Sequence, residues 1–281
     1  MSRYPIARKA FWDARVTAIG GGLLSFLLAL MYVLMFPWVQ DAFEGIELPA
    51  IYESFGGGAG SITEPAGFLA TEYFSFVPLV IIIFAVVAGT AATAGEESAG
   101  TLDLLLAQPV TRRRVVLEKA AGLTAAVSVA VVAGAPGAWI GQLIVDFELA
   151  PWRILLAMVL TVPLVLLFLA IAMFAGATLP NRAAAVVLTT AMAVAGYVLQ
   201  TLGLLVTQLE DARKLTPFYW AEASEVLVGD INPFRPLLLL VPAAVILILT
   251  LVAFERRDIA SGAREVGWRR WLRRRSAGQG A

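Results

Sequence analysis

Residues 95–119, GEESAGTLDLLLAQPVTRRRVVLEK, carry the densest reactive chemistry in the chain: adjacent carboxylates at Glu96 and Glu97, then guanidinium groups at Arg112, Arg113 and Arg114. Paired carboxylates can act as general acid and base in hydrolysis. An enzyme working inside a membrane would also need ionisable or nucleophilic groups at depth, where each charge costs about 2.5 to 3.5 kcal/mol and so stands out. The sequence has no histidine and no cysteine, so it supplies neither the usual zinc ligands nor a thiolate. It also lacks a G-x-x-x-x-G-K-[ST] phosphate loop, which excludes ATP hydrolysis by that route.

Membrane-embedded glutamate proteases of the CAAX-processing type begin with a similar glutamate pair, but they go on to an arginine and to histidines in later spans. Here position 101 is Thr101 and histidine is absent, which removes that reading. Without catalysis, the segment reads as a mechanical part. Leu102, Leu105 and Leu106 stand at i, i+3 and i+4, one side of a short helix, and Pro109 ends it by forcing the preceding residue towards extended geometry. Thr111 is placed to N-cap a second helix that carries Arg112, Arg113, Arg114 and Lys119 into an apolar run. Gly95 and Gly100 supply turns on either side of the glutamates. Glu96 and Glu97 fit two roles at this stage: polar docking groups for a basic partner or for the nearby arginines, or an acidic cap on a helix start.

The surroundings place this segment at a membrane. Of 281 residues, 59% are hydrophobic and 15% charged, and the mean hydropathy is +0.81. A helix needs about 20 apolar residues to cross a ~30 Å hydrocarbon core. Six such runs occur, at about Ile19 to Trp38, Tyr73 to Ala94, Val115 to Val145, Ile154 to Leu179, Ala183 to Val206 and Leu237 to Phe254. They are continuous instead of alternating, so the expected fold class is all-α: a polytopic membrane protein with six transmembrane helices. The first run is followed by FPWVQD instead of small cleavage-site residues and reads as a retained anchor.

Charge sets the orientation. Of the 21 Lys and Arg residues, 17 fall on the side that holds both termini and the 95–114 loop, and 4 fall on the other. By the positive-inside rule both termini and that loop are cytoplasmic. The first outer loop is acidic, with Asp41, Glu44, Glu47, Glu53, Glu64 and Glu72. The arginines are accounted for by topology, so nucleic acid is not an expected partner.

A single domain is expected over 1–281: an N-terminal interfacial helix at 1–18, a six-helix region at 19–254 with a coupling loop at 95–114, and a basic tail at 255–281. The start, RYPIARKAFWDARV, fits either an amphipathic helix lying on the inner surface or a plain basic flank. Pro136 within AGAPG predicts a bend in the third span. The glycines of FGGGAGS predict a mobile outer loop at 40–72. Phe218, Tyr219 and Trp220 fit either an interfacial or re-entrant helix or an aromatic belt. Trp268, Trp271 and Leu272 among the tail arginines fit attraction to anionic lipid or simple topology setting.

EESAGTLDLLLAQPVTR resembles the E-E-x-x-G-T-L-x-x-L-L-x-x-P-[VI]-[ST]-R pattern of permeases in the type-2 class of ATP-binding-cassette (ABC) transporters. The matching residues are Glu96, Glu97, Gly100, Thr101, Leu102, Leu105, Leu106, Pro109, Val110, Thr111 and Arg112. ARKAFWD at Ala7 to Asp13 is similar to the family's ARKEFRD opening, with Ala10 and Trp12 where charged residues are common, and PFYW precedes the last span as it does in the family. The resemblance implies a non-enzymatic permease subunit of an ATP-driven exporter in the prokaryotic cell membrane. It implies a permease dimer, a separate ABC ATPase subunit that holds ATP-Mg, membrane lipid as a further partner, and no cofactor on this chain. Glu96 and Glu97 would dock and anchor the loop, Gly100 to Leu106 would form the inserted coupling helix, and Arg112 to Arg114 would touch partner or lipid. A membrane anchor or assembly factor that binds a cytosolic protein through the same loop without transport is the alternative.

Overall fold

A computed structural model describes residues 5–43, 61–95, 111–228 and 232–256. The described residues are mostly helical and contain no strand. Six helices are long and apolar enough to cross a membrane: Val16–Phe43, Pro65–Ala94, Arg113–Gln142, Pro151–Thr178, Arg182–Leu205 and Phe234–Glu255, called spans one to six below. All six apolar runs read from the sequence are present. The largest boundary change is at span two, which starts at Pro65 where hydropathy placed Tyr73, because a helix that continues past the hydrocarbon edge needs no apolar residues there. Gln40–Phe43 and Pro65–Thr71, expected to belong to a mobile outer loop, are accordingly helical, whereas residues 44–60 lie outside the described part.

Spans two, three and four form the centre. In their most apolar stretches 50%, 61% and 67% of residues are buried, against 17% in span five and 22% in span six. Span four packs on spans two and six, span two packs on span five, and span one packs on the C-terminal part of span three, Gly134–Gln142. A continuous apolar core runs through all six, from Ala29 and Val33 in span one to Leu239 and Ala243 in span six.

Span three bends where the proline required it. The helix is interrupted at Ala133 and resumes at Gly134, and Pro136 lacks the N–H that the preceding turn would use. Span one supplies a partner there: the Ser25 hydroxyl donates to the Val131 carbonyl at 3.3 Å and pairs with the Tyr73 hydroxyl at 2.6 Å. The bend lets span one lie against a glycine face. A Cβ on Gly137 would sit 2.2 Å from the Phe26 carbonyl oxygen, and one on Gly141 would sit 2.7 Å from Val33. Such close backbone approach is how membrane helices gain packing without a hydrophobic drive between them. Gly137→Ala should therefore cost about 1–3 kcal/mol by overpacking. Gly196→Ala, whose Cβ would meet only Phe218 at 3.4 Å, should be tolerated. Thermal unfolding of both variants in detergent checks the contrast.

The N-terminal helix runs over Pro5–Asp13. It packs on the first turns of span three, with Ala10 and Ala14 buried and Trp12 56% exposed. The outer segment after span five folds into short helices, Glu210–Arg213, Pro217–Trp220 and Glu225–Val228. Phe218 is not part of a lipid-facing belt: its ring packs 5.8 Å from both Phe168 of span four and Tyr197 of span five.

Candidate functional site

Residues 96–110 lie outside the described part, and with them Glu96, Glu97, Gly100, Thr101, Leu102, Leu105, Leu106 and Pro109. The two stems that carry this loop are described. The first is the end of span two, where the helix widens into a π-helical turn at Ala91–Gly95. The second begins at Thr111, whose extended backbone and side chain form the expected N-cap, with Oγ1 accepting from the Arg114 N–H at 3.4 Å. Arg112 opens this helix.

The stems are braced to each other by Lys119. This side chain is 4% exposed, and its Nζ donates to the Ala92 carbonyl at 2.9 Å, inside the π turn. A π turn shifts the i→i−4 pairing and changes which carbonyls the helix itself satisfies, and here a buried ammonium takes one of them. Span four closes behind the turn: a Cβ on Gly176 would lie 2.0 Å from Thr93 Oγ1, so only glycine lets the helices meet at that level.

Glu118 makes the second brace. It is 6% exposed; its Oε2 accepts from the Ile6 N–H at 3.0 Å and the Ala7 N–H at 3.2 Å, and its Oε1 accepts from Arg114 Nε at 2.7 Å. The first-turn amides of any helix lack internal partners, and a carboxylate placed on them also meets the positive end of the helix dipole. Glu118 thus caps the N-terminal helix from span three. Gly122 lies under the contact, since a Cβ there would come 2.4 Å from the Ala7 carbonyl oxygen.

The third brace joins span three to span six. Arg113 meets Glu255 in a two-pronged pair, Nε to Oε1 and Nη2 to Oε2, the latter at 3.0 Å. Of the arginines expected to touch partner or lipid, Arg113 and Arg114 are therefore engaged with Glu255 and Glu118 of the same chain. Sequence reasoning missed Glu118 and Glu255 and counted Lys119 only as a basic flank. The Arg114 to Glu118 spacing of four residues was the available signal for the first.

A second polar cluster lies at the other end of the bundle. Arg235 donates to Glu225 Oε1 at 3.0 Å, to Glu222 Oε2 at 3.4 Å and to the Tyr219 carbonyl at 3.1 Å. The Tyr219 ring sits between two guanidinium groups, Arg235 at 4.7 Å and Arg213 at 5.3 Å. Gln200 of span five joins them by donating to Glu222 at 3.2 Å. Arg213, Tyr219, Glu222, Glu225 and Arg235 line a cavity of about 470 Å³. Burial pushes the Glu222 carboxyl above the ordinary carboxylate range, and Arg235 and Arg213 oppose that shift only in part. At pH below the ordinary value both folded and unfolded chains hold this proton. As pH rises, the unfolded chain ionises first, so this cluster loses stability until the folded carboxyl ionises as well. Glu222→Gln should flatten this part of the pH profile, measured as the unfolding midpoint of both proteins between pH 4 and pH 8 on the order of single-group titration widths.

No group of three or more acidic, histidine or cysteine side chains placed to hold a metal occurs among the described residues. In comparison with known proteins, residues 4–259 match a family model described as ABC-2 family transporter protein. No curated protein sequence matches the chain.

Proposed function

Since the chain belongs to the ABC-2 family of transporter proteins, we propose that it is the membrane-spanning permease subunit of an ATP-driven exporter, worked through loop 95–114 by a separate ABC ATPase that holds ATP-Mg. The chain is a multi-pass membrane protein of helical class. The observation that carries the coupling role is the set of three braces at the stems. Lys119 ties the end of span two to span three, Glu118 ties span three to the N-terminal helix, and Arg113 ties span three to span six. A loop hung on unbraced stems would absorb a push by bending. Stems held in this way pass a displacement of the loop to several helices as one body.

In this reading Glu96 and Glu97 anchor the loop and meet the ATPase, and Gly100, Thr101, Leu102, Leu105 and Leu106 form the helix seated in it. Pro109 turns the chain back, and Thr111 and Arg112 start the return helix. In the same reading both termini face the cytoplasm of a prokaryotic cell, and the distribution of 17 and 4 basic residues supports that orientation. A second permease copy fits against span five, where Ala183, Val187, Ala191 and Ala195 recur every four residues on an exposed face. Small residues at that interval allow close helix contact in lipid.

Leu105→Asp tests the docking. Tagged wild-type protein should co-purify with an ABC ATPase subunit, identified by mass spectrometry, and the variant should lose it. An ATPase retained by Leu105→Asp would overturn the docking assignment. Glu97→Arg separates a transporter from a passive anchor, because an anchor has no ATP-driven cargo movement for that substitution to stop.

A further inference from the structure

A cleft of about 530 Å³ opens beside the braced stems, between the N-terminal helix, span two and the start of span five. Its wall is apolar, with Phe84, Val87 and Leu123 among its residues, and it holds three charged side chains: Asp13, Lys119 and Arg182. Its mouth faces sideways. Val16, Ile83 and Val87 on its lining are 70%, 43% and 45% exposed, on helices whose outer faces meet the bilayer. On its lining, Thr17 Oγ1 of span one donates to the Phe84 carbonyl of span two at 3.4 Å.

The location determines what can fill it. A lateral apolar cleft within a bilayer is costly to leave wet, because water there loses hydrogen bonds that apolar walls do not replace. A water takes roughly 30 Å³ in the liquid, and a methylene is of similar size, so this volume suits an acyl chain of ordinary length. The polar end is set by charge. Arg182 is exposed and uses Nη2 to hold the Val87 carbonyl at 3.2 Å, which fixes its guanidinium at the edge of the cleft. With Lys119 it makes two cations against the single carboxylate of Asp13 on the lining. A zwitterionic headgroup gains little from that balance, whereas an acidic one neutralises it.

We propose that this cleft binds one anionic phospholipid, its acyl chain along Phe84 and Val87 and its phosphate at Arg182. Only the choice of the cytoplasmic leaflet rests on the orientation given under the proposed function; the binding does not. The lipid would sit against Lys119, the side chain that joins the two stems of the loop.

The full-length protein, purified without any ATPase and exchanged into mixed micelles, is offered phosphatidylglycerol or phosphatidylcholine, and retained lipid is counted by native mass spectrometry. One phosphatidylglycerol should remain bound in preference to phosphatidylcholine. Arg182→Gln should weaken it about fivefold, the usual effect of one basic group near a charged lipid surface. Val87→Trp, which fills the mouth from an exposed position, should remove both lipids. Equal retention of the two lipids, or phosphatidylglycerol retention unchanged in both variants, overturns the proposal. Displacement by millimolar inorganic phosphate also overturns it, because the site would then be for a free anion. The readout contains neither ATPase nor sidedness, so it is independent of whether loop 95–114 docks an ATPase.

Discussion

Glu118→Ala is expected to release the N-terminal helix from span three. One carboxylate satisfies two first-turn amides, Ile6 and Ala7, and holds Arg114 as well. Loss of a single capping acceptor costs roughly 0.5–2 kcal/mol. Here the loss falls on a helix of nine residues, Pro5–Asp13, too short to persist alone in water. The apolar contact that remains is Ala10, Ala14 and the half-buried Phe11, while Trp12 and Val16 are exposed. Detachment should therefore be nearly complete, although the six spans stay folded. Spin labels at Lys9 and Leu117 give the measurement: a short, narrow distance distribution in the wild type should become long and broad in Glu118→Ala. Glu118→Gln keeps an acceptor for the amides but not the charge, and should fall between the two. An unchanged distribution in Glu118→Ala would mean that alanine packing against Gly122 is enough to hold the helix.

Hydropathy located the six spans because a membrane span is specified by one property, a long apolar run, and that property is local in sequence. The bend in span three was legible for a similar reason: Pro136 removes a donor wherever it is placed. The braces were not legible. Lys119 and Glu118 sit beside a run of arginines at a membrane edge, where basic residues already have an explanation in topology, and nothing local shows that these two are buried. Their partners are distant in sequence: Ala92 is a backbone carbonyl, Ile6 and Ala7 are backbone amides, and none of the three is marked by residue type. The segment after span five was half legible. PFYW announced aromatic side chains near the membrane edge, but whether Phe218 faces lipid or Phe168 depends on where span four passes. Thr111 shows the opposite case, an N-cap readable from sequence because a cap acts on its own next three residues.

Lys119→Met is expected to separate ATPase binding from transport. The side chain is buried, and methionine fills similar space without a charge, so the bundle should fold; replacing a buried ionic group by an apolar one of like volume is often neutral in stability. What disappears is the bond from Nζ to the Ala92 carbonyl, a link between the end of span two and span three. The loop would still carry Leu102, Leu105 and Leu106 to the ATPase, so the complex should assemble at wild-type affinity. The push that follows ATP binding would then be taken up at the π turn of Ala91–Gly95, where the helix is already widened, instead of moving span three. Coupling free energies between sites are typically 1–3 kcal/mol. Loss of this brace should thus lower ATP-driven transport by about tenfold, at the lower to middle part of that range, with ATP hydrolysis by the assembled complex changed much less. Lys119→Arg tests the chemistry of the brace: it keeps the charge and a donor but replaces a compact ammonium with a planar fork, and should restore only part of the activity. If Lys119→Met transports as well as wild type, the stems move independently and the drive must reach span three through the Thr111 helix alone.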